Sequence, residues 1–225
     1  MSSGAQQPPQ GNRTFPDSYI TLAEEILAPL YSILAETALR SCDDTRGLPV
    51  RVLDIGGGTG QWLSALLEKG VSVGILADTD PEMLRHAKTH LGQFLQSNRL
   101  LLLHADAQAL PFPDASLDLI VSRNSMHLWP NLPQCWKEIF RVLTPGGTAF
   151  IGRGYGPDLP GEIRQTIKNQ RKQFKQKANE PEIPEPPSPD ASHVQSLCLK
   201  SGFSRIGIVP DGKAYWITAR KDSTG

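Results

Sequence analysis

The chain has 225 residues, 39% of them hydrophobic, with 23 basic and 23 acidic side chains. That length can fill one sizeable core. A net charge of zero offers no whole-molecule field to draw in nucleic acid or an anionic membrane surface, and no apolar run approaches the roughly 20 residues of a membrane-spanning helix. The three cysteines, Cys42, Cys135 and Cys198, show neither zinc-ligand spacing nor a disulfide framework, so no metal site is expected and a reducing, cytoplasmic setting fits. 

Residues 1–15 are polar and lack the apolar stretch of a secretory signal. They read as a disordered tail ahead of a single domain over 16–222. From Asp17 the chain turns helical: Ile20, Ala23, Ile26, Leu27, Leu30, Ile33 and Leu34 recur at three- and four-residue steps. Asp17 or Ser18 is the candidate cap, and Pro29 should kink or split the helix.

Strands and helices then alternate. VRVLDI (50–55) is a short apolar strand, and GQWLSALLEKG (60–70) is a helix closed by Gly70. VSVGILAD (71–78) is a second strand. DPEMLRHAKTHLGQFLQ (80–96) is a helix with Asp80 at its cap, Pro81 in its first turn and a buried stripe of Leu84, Ala87, Leu91 and Phe94. RLLLLHAD and LDLIVSR are the third and fourth strands, PQCWKEIFRVL is a helix, TPGG is a turn, and TAFIGRG is the fifth strand. This spacing implies an α/β fold, with a parallel sheet covered by helices on both faces.

The alternation then stops. Residues 161–179 form a polar helix with a thin apolar stripe of Ile163, Ile167 and Phe174; residues 180–190 form a stiff, proline-rich linker. The segment from Ala191 is a helix with Gly202 after it, and the runs on either side of Asp211-Gly212 read as a hairpin.

Chemistry concentrates in the first strand–loop–helix unit. Gly56, Gly57, Gly58 and Gly60, with Thr59 among them, let backbone approach a ligand. The dinucleotide fingerprint GxGxxG would need a third glycine where Gln61 stands. Asp54 just before the loop suits a cationic ligand better than a pyrophosphate. Asp78 ends the second strand, where an acid can accept from ribose hydroxyls. Asp106 ends the third strand, placed to accept from an exocyclic amine.

The run VLDIGGGTG, then ADTDPEML, HADAQALPFPDASLDLIVSR and FRVLTPGG, closely resembles the class I S-adenosylmethionine-dependent methyltransferases. It looks most like their small-molecule, quinone-biosynthesis-like branch. The resemblance covers about residues 48–152. It implies a Rossmann-like, doubly wound seven-stranded sheet, mostly parallel, with an antiparallel strand inserted through a terminal hairpin. It also implies S-adenosyl-L-methionine as cofactor. On that resemblance Gly56–Gly60 pass under the methionine part and Asp54 helps hold its ammonium, directly or through water. Asp78 binds the ribose and Thr79 packs on the adenine. Asp106 and the Ala107 N–H meet the adenine edge, the backbone around Ser122 and Arg123 closes the methionine end, and Arg123 is a partner for its carboxylate.

The methyl acceptor is expected to be a small molecule. His127 and Tyr155, after the fourth and fifth strands, are the candidate catalytic residues; an unperturbed histidine, with a pKa of about 6.5, suits proton uptake near neutrality. Trp129 reads as a core, lid or acceptor-pocket residue, and Arg153 as a surface ion pair or an acceptor's partner. The basic helix 161–179 reads as a lid. Three further ideas are open on the residues: a cofactor-binding subunit without turnover, a nucleic-acid methyltransferase working through the basic helix, and a three-thiol arsenic site. Chain association is read as monomer or homodimer.

Overall fold

The computed structural model describes residues 20–42, 47–178 and 186–223. The expected tail 1–15, the Asp17/Ser18 cap, and most of the linker lie outside these residues. The linker's last residues, 186–190, run without regular structure.

A π-helical turn, Leu22–Ile26, leads into helix α1 (Ala28–Arg40): the helical segment is split at Leu27, and Pro29 sits in the first turn of α1. Then follow β1 (Arg51–Ile55), α2 (Gln61–Glu68), β2 (Val73–Asp78), α3 (Pro81–His90), α4 (Gly92–Gln96), β3 (Leu100–His104), β4 (Leu117–Arg123), a 3₁₀ turn (Met126–Leu128), α5 (Leu132–Val142), β5 (Leu143–Gly152), α6 (Gly161–Ala178), α7 (Ala191–Ser201), β6 (Arg205–Asp211) and β7 (Ala214–Arg220). The strands form one seven-stranded sheet in the order β3-β2-β1-β4-β5-β7-β6. The pairs from β3 through β5 are parallel; β7 runs antiparallel between β5 and β6. Order reverses between β1 and β4, the switch point where doubly wound sheets bind ligands.

Four local expectations need correction. The helix expected over 80–96 breaks into α3 and α4 at Leu91, just ahead of Gly92, and Met83 takes a buried place while Leu84 is only half-buried. TPGG is not a turn ahead of the strand but lies within β5: Leu143 pairs with Leu117 and Thr148 with Leu119, so Thr144–Gly147 bulge out between the two ladders. β3 is an edge strand with Leu101 exposed, not a strand covered on both faces. Asp106 lies two residues past β3, not at its end.

Alternate strand residues feed two cores. Val52, Leu119, Val121 and Phe150 pack with α1, α2 and α3 on one face. Leu53, Ile120, Ala149 and Ile151 pack with α5 and α7 on the other. Trp62, Phe150 and Trp216 join edge-on and stacked within the first core. Leu63, Leu66 and Leu67 of α2 are fully buried, each contributing about 1.5–3 kcal/mol. Cys42 packs against the first core while Cys135 and Cys198 lie buried in the second, so the sheet separates Cys42 from the other two thiols and the three form no joint arsenic site.

Candidate active site

The glycine loop leaves β1 at its carboxyl end. Gly56 has φ +65°, and a Cβ there would sit 2.5 Å from the Ser125 Cβ. Gly60 has φ +89°, and a Cβ there would meet Leu91 at 2.6 Å. Both positions need glycine for conformation and for space. Gly56 N–H donates to the Ala77 carbonyl at 2.7 Å, and Gly58 N–H to Asp78 Oδ2 at 2.9 Å. The loop is thereby tied to the end of β2.

Asp54 is 2% exposed, and no described residue hydrogen-bonds its carboxylate. Burial first, then the charge of Asp78, pushes its carboxyl well above the usual range; Arg123 acts in the opposite direction. A buried acid without a partner is costly unless a cation or donor arrives. Asp78 is half-buried and also raised, by burial, against hydrogen bonds from Asp80 N–H and Gly58 N–H that favour its charge. Its Oδ1 accepts from Asp80 N–H and its Oδ2 from Gly58 N–H, the Thr79 N–H also favours its charge, and carboxylate lone pairs remain for a further donor.

Thr79 is exposed at the surface, and its carbonyl meets His104 Nε2 at 3.0 Å. Asp106 accepts from Gln108 N–H at 2.9 Å and from Gln108 Nε2 at 3.1 Å; Ala107 beside it is buried. This loop hangs on Arg141 and Glu138 of α5. Arg141 donates to the Leu110 and Phe112 carbonyls, and Glu138 accepts from Leu110 N–H.

Ser122 is fully buried and its hydroxyl donates to the Ile55 carbonyl at 2.8 Å, so its side chain serves the fold beneath the loop. Ser125 joins it at 2.6 Å and accepts from Trp129 Nε1 at 3.1 Å. Arg123 Nε donates to the Gly154 carbonyl at 3.0 Å, and its guanidinium lies 5.5 Å from the Tyr31 ring centroid and donates to Tyr31 Oη at 3.3 Å. Arg123 thus bridges β4, the loop after β5 and α1.

His127 is half-buried in the 3₁₀ turn after β4, and Tyr155 is half-buried in the loop after β5. Arg153 Nη1 donates to the Pro186 carbonyl at 2.7 Å, tying the loop to the linker. Tyr31, Ser125, Arg164 and Asp211 also build this end of the sheet, and sequence reading gave none of them a role here. Tyr31 looked like one more helix residue; Asp211 looked like a turn residue only.

Among the described residues no cluster of metal-ligating side chains occurs, and no helix is long and apolar enough to cross a membrane.

The strand order, the glycine cradle at the switch point and the acids at or just beyond the ends of three adjoining strands together define the architecture of a class I methyltransferase. Residues 53–151 match the methyltransferase domain family. Residues 53–151 thus belong to the methyltransferase domain family, and the fold around them is that of the class I S-adenosylmethionine-dependent methyltransferases. A solved structure from Methanococcus maripaludis, described as a candidate S-adenosyl-L-methionine-dependent methyltransferase, superposes with a TM-score of 0.73 at 25% identity, covering 100% of this chain and 99% of that one. An uncharacterized Mycobacterium tuberculosis protein is 35% identical over 133 residues, 59% of this chain and 45% of its own. A malonyl-[acyl-carrier protein] O-methyltransferase of Halorhodospira halophila is 32% identical over 139 residues, 61% of this chain and 46% of its own. The chain spans about half the length of these two curated relatives. None of the three is named for quinone biosynthesis.

The residues present fit the family's cofactor. Asp54 offers an ammonium a buried carboxylate that no other described residue hydrogen-bonds. The glycine loop offers close backbone approach, and Asp78 and Asp106 keep free lone pairs toward hydroxyl and amine donors.

Proposed function

We propose that this protein transfers a methyl group from S-adenosyl-L-methionine to a small-molecule acceptor. The observation that carries the reading is Asp54: a carboxylate buried beside the glycine cradle, raised well above its ordinary range by burial and by Asp78, and hydrogen-bonded by no other described residue. Bound there, the sulfonium cofactor supplies an electrophilic methyl group and a neutral leaving group. Asp54 and Arg123 would hold the methionine end, Asp78 the ribose, and Asp106 with the Ala107 N–H the adenine, with Thr79 packed on its face. The chain's main contribution is alignment, which can supply roughly 7–11 kcal/mol.

Where the acceptor carries a proton that must leave, His127 or Tyr155 would accept or orient it, a role typically worth about 10²–10⁴ in rate. The quinone-like branch belongs to this proposal. The malonyl relative adds carboxylates to the acceptor classes worth screening. The test is transfer of labelled methyl from the cofactor to panels of phenols, carboxylates, amines and thiols. Cofactor binding with no transfer to any panel would favour the second reading, a binding subunit without turnover. The cytoplasmic setting and a monomeric or homodimeric state belong to the proposal, as does the view that nucleic acid is not the acceptor.

A further inference from the structure

The hairpin turn between β6 and β7 comes to the same end of the sheet as the loop after β5, because Trp216 of β7 pairs with Gly152. Asp211, at the end of β6, is buried there. Its Oδ2 accepts from Tyr155 N–H at 2.7 Å, Gly156 N–H at 2.8 Å and Trp216 Nε1 at 3.2 Å. Its Oδ1 accepts from Arg164 Nη1 in the first turn of α6. Arg164 Nη2 donates to the Gly156 carbonyl at 2.7 Å, and its guanidinium lies 5.7 Å from the Tyr155 ring centroid. The fit is tight: a Cβ on Gly154 would meet Asp211 Oδ2 at 2.5 Å. Burial alone would raise the Asp211 carboxyl, but the bonds from Arg164, Trp216 and Gly156 hold it below its ordinary range, so it stays charged. On its other side the same loop is held by Arg123 and Asn124, through the Gly154 carbonyl and N–H.

We propose that Arg164 and Asp211 are positioning residues that fix Tyr155 and helix α6 as one wall of the acceptor end of the site. The proposal rests on the reading that the acceptor meets the cofactor at the carboxyl ends of β4 and β5. Asp211 sets the backbone of Tyr155 and Gly156. Arg164 covers the Tyr155 ring and places the start of α6 against the loop. Neither residue needs to touch the cofactor.

Nitration with tetranitromethane, mapped by peptide mass spectrometry, tests this. Tyr215, buried in the same hairpin, is the internal control. In Arg164→Ala and in Asp211→Asn, Tyr155 should nitrate about tenfold faster or more, as local opening exposes it. Tyr215 should stay slow, and Arg164→Lys, which keeps the charge, should fall between parent and Arg164→Ala. Equal rates at Tyr155 in parent and variants would overturn the proposal. So would parallel rises at Tyr155 and Tyr215, which would make the pair a brace for the hairpin alone. Calorimetric binding of S-adenosylmethionine, measured beside it, separates the two readings: affinity within about threefold of parent in all variants is expected. Absent binding in the parent would instead sink the cofactor reading and leave the nitration result standing by itself.

Discussion

Asp54 and Asp78 lie on neighbouring parallel strands at the mouth of the glycine loop, and the charge of Asp78 adds to burial in lifting the Asp54 carboxyl. The pair is an electrostatic load that the protein carries without its ligand. Such a load is expected where binding, rather than stability, sets the residue.

Asp54→Asn should therefore stabilise the ligand-free protein near neutral pH, raising Tm by about 2–4 °C. The sign follows from linkage. An acid with a raised folded pKa binds more protons folded than unfolded, so its contribution falls as pH rises from its ordinary value of 3.8 up through the folded one. Melting curves of the parent should show this decline, and Asp54→Asn should lack it. Cofactor affinity should rise over the same window, because binding favours the charged form. A flat affinity–pH profile would count against Asp54 as the ammonium's partner.

Gly56→Ala should damage the site more than Gly57→Ala. Gly56 combines φ +65° with a 2.5 Å clash at Ser125, while Gly57 has an ordinary φ and would press on the Leu76 side chain at 2.8 Å. The strained backbone alone costs about 1–2 kcal/mol at Gly56. Urea unfolding checks the ranking; a larger loss at Gly57 would contradict it.

Ser125→Ala should uncouple the loop after β4 from the glycine loop. It removes the acceptor for Trp129 Nε1 and a bond to the Ile55 carbonyl. A loss of about 1 kcal/mol is expected. Three other tryptophans, Trp62, Trp136 and Trp216, are buried in the cores, so a red shift in tryptophan emission without their exposure would report Trp129.

Arg141→Ala should loosen residues 106–114, since Arg141 holds the Leu110 and Phe112 carbonyls and pairs with Glu138 and Asp114. Hydrogen exchange across that loop should speed up while β1 and β2 stay protected. Cofactor affinity should fall several-fold, because Asp106 and Ala107 lie in the loosened segment.

The β1–α2 unit was legible because local rules converge there: an apolar strand, glycines where side chains would clash, and a helix start. The acids at 54, 78 and 106 could be placed together because consecutive parallel strands are neighbours. The Arg164–Asp211 pair was not legible. Asp211-Gly212 signalled a turn, and Arg164 was one of six basic residues on a polar helix. Their meeting depends on β7 inserting beside β5, which no local pattern encodes. The position of Tyr31 likewise depends on how α1 packs over the sheet. The break at Gly92 and the bulge at Thr144–Gly147 are missed for a simpler reason: periodicity finds elements better than it finds their interruptions.

The most direct measurement is calorimetric titration of S-adenosylmethionine into the parent, Asp54→Asn and Asp78→Asn, with melting curves to confirm that each is folded. Micromolar binding by the parent is expected, weakened about tenfold or more in each variant, a change of about 1.4 kcal/mol or more. No binding by the folded parent, or equal binding by all three, would contradict it.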